Sequence, residues 1–219
     1  MSTEMSTELK YTNLSCSEFA ERLASKDAVP GGGGASALAA ALAAALSNMV
    51  GNLTVGKKKY AAVEEELRGL MEKLEVLRKE LLGLVEEDAR SFEPLSKAYG
   101  LPKETEEQKQ YKDEVMEKCL HDAAQVPLEI MRKIAEIVPM ARTFADKGSV
   151  IAVSDAGVSA ALCSAAMRSA ALNVYINTKM MKDRAYAEEL DAECGSLIEE
   201  YCAAADQVYA DVSKRLRIR

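Results

Sequence analysis

Two carboxylates sit where a carboxylate is costly unless it has a task. From Val63 onward, Leu67, Leu70, Leu74, Leu77, Leu81 and Leu84 recur at alternating spacings of four and three, a heptad seam on a long amphipathic helix. Continued, the seam reaches Asp88 and Ser91 before Phe92 and Leu95 resume an apolar face. A carboxylate on a buried stripe needs a partner or a function. Burial would raise its proton affinity and suit it to proton transfer; the structural alternative is a buried helix-to-helix hydrogen bond. Asp155, at the start of a second apolar segment, is the other acid–base candidate, although its spacing fits an ordinary N-cap better. Asn48 with Asn52, and Asn173 with Asn177, lie one turn apart on apolar segments, where amides need each other or a polar ligand. Asp155 and Asn173 share a helix face but stand about 27 Å apart along it. They meet at one reacting atom only if the helix breaks or a second subunit contributes.

The sharpest local feature is Val29-Pro30 followed by Gly31, Gly32, Gly33 and Gly34, then Ala35-Ser36. Glycines ahead of a helix leave backbone N–H groups open at a positive dipole end, with no side chain to keep a planar or anionic ligand away. A flexible lead-in to the helix is the plain alternative. The phosphate-binding Walker loop is excluded because Gly31 is followed at the required spacing by Ser36 and not by Gly-Lys-Ser/Thr, and the dinucleotide fingerprint lacks its strand. Lys57, Lys58 and Lys59 form a small basic cluster after Gly56. It is either a solvated turn or a seat for carboxylates or phosphate.

The elements that must position these residues read as helices throughout. Ser15 with Glu18 fits a capping box and Leu14 with Phe19 a hydrophobic staple, so a first helix runs from Ser15 to near Asp27. The glycine run cannot be helix interior, and an Ala-rich helix follows from Ala35 to about Asn52. The seam helix ends at Gly100-Leu101-Pro102. Thr105 to Ala124 is predicted as one helix and Pro127 opens the next, which Pro139 kinks or ends and Gly148 caps. Ser149 to Val153 reads as an extended link. Ser154 or Asp155 then caps a small-residue helix through Asn177, and a long heptad helix spans Tyr186 to Val212. The two small-residue helices allow close axial approach, so they belong at the centre of a bundle. We expect an all-α single domain over residues 1–219, with residues 1–14 a flexible N-terminal segment.

Composition narrows the class. In 219 residues Asp plus Glu is 35 and Lys plus Arg is 28, a net charge of −7, which argues against nucleic-acid binding. Ala, Leu, Glu, Lys and Met dominate, and aromatics are 5%, which favours helix over sheet. The Met1–Lys10 start is polar and acidic, unlike a signal peptide. The apolar run Ala35–Val50 is too short and too weakly hydrophobic to span a bilayer. The five cysteines form no C-x-x-C pair and fit free thiols in a reducing cytoplasm. The single histidine, His121, lies in a charged stretch and reads as a surface residue. No metal site is expected.

Taken in order, Val29-Pro30-Gly31-Gly32-Gly33-Gly34-Ala35-Ser36, Gly56-Lys57, Asp88 with Phe92, Ser154-Asp155, and Asn173-Val174 with Asn177 resemble the cyclodeaminase/cyclohydrolase family of folate enzymes. The resemblance runs from about Ser15 to Arg217. It implies an all-helical homodimer with a folate site near the subunit interface. It also implies a methenyltetrahydrofolate cyclohydrolase, with formiminotetrahydrofolate cyclodeaminase as the alternative. Both reactions pass through a tetrahedral carbon and need proton transfers, with no cofactor beyond the tetrahydrofolate substrate itself. On that resemblance Asp88 or Asp155 transfers the proton. Gly31, Gly32, Gly33, Gly34, Ser36, Asn48, Asn173 and Asn177 line the pterin pocket, and Lys57, with Lys58, faces the glutamate tail. The competing classes are a non-catalytic helical interaction protein and a helical nucleotide-binding module.

Overall fold

The computed structural model describes residues 10–217, and every regular element among them is helical. Residues 1–9, most of the polar start, lie outside the described residues. The domain opens with a short 3-10 turn, Tyr11–Asn13, and α1, Cys16–Leu23. Both halves of the Ser15–Glu18 capping box are formed. α1 stops four residues short of Asp27, and residues 24–31 cross the surface as a strap into α2, Gly32–Asn52. α3 is Glu64–Tyr99, α4 is Glu106–Lys147 and α5 is Val153–Thr178. α6, Arg184–Leu197, runs through a π-turn, Ile198–Cys202, into α7, Ala203–Leu216.

The two small-residue helices, α2 and α5, pack on each other, with α4 contacting both; α3 flanks α2 and α7 flanks α5. Alanine surfaces make this approach close. Ala37, Ala40, Ala43, Ala44, Ala156 and Ala160 are all buried. Gly157 lies where a Cβ would stand 2.8 Å from Val212 Cγ1, so α7 also needs a missing side chain. One polar lock crosses the apolar centre. Ser159 Oγ donates to the Ala43 carbonyl at 2.7 Å, which leaves Ser47 Oγ to donate to Ser159 Oγ at 2.9 Å. Ser159→Ala orphans both the Ser47 hydroxyl and a carbonyl lone pair in a dry site. It should destabilise the fold by about 1–3 kcal/mol, measurable as a lower urea midpoint at unchanged slope.

Several expectations are corrected. Gly32, Gly33 and Gly34 are helical: they form the first turn of α2, where N–H groups need no intrahelical acceptor. α4 is one uninterrupted helix through both Pro127 and Pro139. Buried residues on either side, including Ala124, Leu128, Val138 and Ala141, hold it straight enough for tertiary packing to outweigh the lost hydrogen bonds. The extended link is instead a 3-10 turn, Val150–Ala152. α5 is capped by Ala152 with no side-chain bond, so neither Ser154 nor Asp155 is the cap. Tyr11–Asn13 forms a 3-10 turn, and the Tyr11 and Thr12 N–H groups and the Thr12 hydroxyl all donate to Glu86. His121 is half-buried, its ring stacked on Tyr186 at 4.4 Å. By length and composition, Gly32–Asn52 and Val150–Thr178 are apolar enough to cross a membrane, contrary to expectation, yet about half of each (56% and 50%) is buried within the bundle.

Candidate active site

The seam explains where Asp88 ends up. A strict seven-residue repeat drifts on a straight helix of 3.6 residues per turn. Beyond Leu81 the buried stripe of α3 therefore passes to Val85 and Ala89, and Asp88 lies half-buried on its edge. That edge faces the start of α2. The Gly34 N–H donates to Asp88 Oδ2 at 2.8 Å. The N–H groups of Gly32 and Gly33 meet no acceptor among the described residues, and both residues line the cleft beside the carboxylate. Gly33 is there because nothing larger fits: a Cβ would overlap Asp88 Oδ1 and stand 2.5 Å from its Cγ.

α5 supplies the opposite wall. Asn173 Nδ2 donates to the Ser169 carbonyl, which turns Oδ1 toward Gly32, where a Cβ would stand 3.0 Å from it. The buried Asn177 donates from Nδ2 to the carbonyls of Ala123 and Asn173, tying α5 to α4. The cleft is closed by Ala28 and Val29 of the strap, Phe92 of α3 and Ile176 of α5. Its walls are thus apolar, with a few converging polar groups. Burial pushes the Asp88 carboxyl up to about 6, against the lowering effect of the Gly34 N–H. No side-chain charge contributes to that balance. Among the described residues no group of three His, Cys, Asp or Glu side chains is placed to hold a metal ion.

The expected site residues separate into two ends. Gly31, Gly32, Gly33, Asp88, Asn173 and Asn177 are brought together in the cleft, with Gly34 bonded to Asp88. Ser36 is buried behind it, and its hydroxyl donates to the Gly32 carbonyl at 2.7 Å, bracing the first turn without lining the cleft. Asn48 lies toward the far end of α2, beside Met49, Asn52 and Arg78, with its Oδ1 buried and unpartnered. Lys57 lies beyond it, donating from Nζ to the Leu53 carbonyl, and Lys58 is exposed. These lysines are about 30 Å from Gly33, measured along α2. Asp155 occupies the first turn of α5, about 27 Å from Asn173. Ile176, Ala123, Ala28 and Val29 were not expected in the site. Phe92 carried a signal, one turn beyond Asp88 on the same face.

This glycine-capped carboxylate cleft can be set beside known proteins. A family model described as formiminotransferase-cyclodeaminase matches residues 15–196. The chain belongs to that family. A methenyltetrahydrofolate cyclohydrolase of Methylorubrum extorquens is 42% identical over 204 residues, spanning 93% of this chain and 98% of that protein. The formimidoyltransferase-cyclodeaminase of Mus musculus is 30% identical over 90% of this chain but only 36% of its own length. Among solved structures, formiminotetrahydrofolate cyclodeaminase from Thermotoga maritima is similar with a TM-score of 0.78 and 31% identity. The match covers 93% of this chain and 96% of that one. The helical architecture shared with this family member extends over nearly the whole molecule, so the cleft is embedded in a family scaffold.

Proposed function

We propose that this protein is a methenyltetrahydrofolate cyclohydrolase, hydrolysing 5,10-methenyltetrahydrofolate to 10-formyltetrahydrofolate. The observation that carries the reading is the cyclohydrolase relative, 42% identical and matched over 98% of its own length. The cleft supplies compatible chemistry. The methenyl bridge is a delocalised cation between two folate nitrogens, and an ionised Asp88 faces it. Asp88 takes a proton from water as the water oxygen bonds to the bridge carbon. That proton then passes to the nitrogen on the six-membered ring as its bond to the carbon breaks, while the new hydroxyl gives up its own proton to solvent as its oxygen becomes the formyl carbonyl on the other nitrogen. The open N–H groups of Gly32 and Gly33 and the Asn173 amide offer the pterin edge its polar contacts, and Phe92 and Ile176 offer it apolar faces. The steps need proton transfers alone.

A second reading, formiminotetrahydrofolate cyclodeaminase, is favoured by the likeness to the Thermotoga maritima enzyme. Loss of the near-ultraviolet absorbance of methenyltetrahydrofolate on adding the protein tests the first reading. Ammonia release from formiminotetrahydrofolate tests the second. No change in either assay removes both and leaves a non-catalytic interaction protein.

The working unit in this proposal is a homodimer in the cytoplasm, for which five free thiols are suited. Support comes from an exposed apolar stripe along the neighbouring central helices: Leu42 and Met49 on α2, and Val158, Leu172 and Ile176 on α5. A two-fold contact through the middle of that stripe, with helices antiparallel, sets the start of one α5 against the end of the other. Asp155 of the partner subunit then approaches the Asp88 cleft, removing the separation that one protomer imposes. Leu172→Glu places a charge in the stripe. It should halve the mass seen by light scattering and abolish turnover together; a fully active monomer overturns the dimer proposal.

A further inference from the structure

The space around Asp88 does not end at Val29. The same side chain walls a second cavity on the neighbouring flank of α3, about 190 Å³ against about 110 Å³ for the cleft. Asp88 and Phe92 line one, Ala89 and Glu93 the other, roughly 100° round the helix. The cleft alone is smaller than the few hundred Å³ that a drug-sized ligand fills, so a folate must extend out of it.

The second cavity has an aromatic wall and a cationic rim. Its outer wall is Tyr11, whose hydroxyl is shifted upward chiefly by burial. Tyr11 is fixed from behind, because the Glu86 carboxylate accepts from its N–H and from the N–H and hydroxyl of Thr12 at 2.8–3.1 Å. The other carboxylate on the rim, Glu93, pairs with Lys97 at 2.7 Å. The acidic groups are thus engaged within the chain. Two cations complete the rim: Arg90, which pairs with Glu87, and Lys10, whose ammonium has no partner among the described residues.

We propose that this second cavity seats the aminobenzoyl-glutamate tail of the substrate whose pterin head occupies the cleft. The benzoyl ring lies against Tyr11, and the tail carboxylates meet the Lys10 ammonium. This rests on the folate reading above. It moves tail recognition away from Lys57 and Lys58, which stand at the other end of α2.

The test uses a probe with no pterin and no one-carbon unit. p-Aminobenzoyl-triglutamate, with p-aminobenzoate as control, is titrated into the intact protein while backbone amide shifts are followed. Saturable shifts at Tyr11, Val29, Ala89 and Glu93 are expected. Triglutamate binding should weaken at least about fivefold in Lys10→Ala and more in Lys10→Glu, with p-aminobenzoate binding unaltered. Lys10 is exposed and makes no cap bond, so both variants keep the fold. The proposal is overturned if the shifts gather at residues 57–60 instead, if Lys10→Glu binds like the parent, or if no saturable shift appears up to about 10 mM probe. Turnover of methenyltetrahydrofolate is scored separately. A protein that turns over substrate but ignores the probe loses the tail seat alone, whereas one that binds the probe without turnover loses the cyclohydrolase reading alone.

Discussion

Asp88→Asn is expected to lower methenyltetrahydrofolate turnover by about 10²–10⁴-fold and, at the same time, to raise stability at pH 8. The amide keeps the shape and can still accept from the Gly34 N–H, but it cannot take a proton from water. The stability gain follows from the direction of the shift. Folding raises the Asp88 carboxyl from 3.8 to about 6, so the folded chain binds a proton between those values that the unfolded chain has released. Neutral Asp88 therefore costs the fold nothing below about pH 4. The penalty grows as pH rises through 6 and is constant above it. Its size is on the order of 2–3 kcal/mol. An amide carries no charge at any of these pH values, so the variant should melt above the parent at pH 8, with the gap closing near pH 4. The parent's rate should rise with pH through about 6 as the base ionises. Unchanged turnover in Asp88→Asn removes Asp88 from the mechanism. A stability gap that persists at pH 4 would instead refute burial as the cause.

Gly33→Ala should cost a similar share of the activity for a different reason. The added methyl takes the space that Asp88 Oδ1 occupies, so the carboxylate must turn away. A displacement of about an ångström is enough to lose about 10²-fold in rate. The helix itself should not object, since alanine is favoured over glycine by up to about 1 kcal/mol in helices. Low activity with undiminished thermal stability is therefore the expected pair of results. Gly34→Ala makes only ordinary contacts, the nearest at 3.6 Å to the Val85 carbonyl, and should lose at least about tenfold less. Equal losses in both variants would show that steric displacement of Asp88 is not the cause.

How far these positions were legible in the sequence depends on range. Asp88 announced itself because the leucine seam leads straight to it, and the helical class followed from composition and spacing alone. The Ser15–Glu18 cap was equally readable, being a local hydrogen-bond pattern. What failed was decided by distant partners. Glycines at 32–34 look like breakers until a carboxylate some fifty residues later accepts from their turn. Pro127 and Pro139 look like boundaries until the buried surface on both sides of α4 is counted. Asn48, Lys57 and Asp155 have chemically apt side chains, and the family order made them neighbours of the cleft. Helix length puts them at the other end of a single protomer. Ile176 and Val29 gave no chemical signal, because apolar walls look like any other apolar residue.

Within one protomer the proton affinity of Asp88 is governed by burial and one peptide dipole, with no side-chain charge of its own chain in the balance. Mobile ions screen exposed charges far more than buried ones, so the pH midpoint of the reaction should scarcely respond to ionic strength. Substitutions of exposed residues remote from the cleft should likewise leave that midpoint where it is.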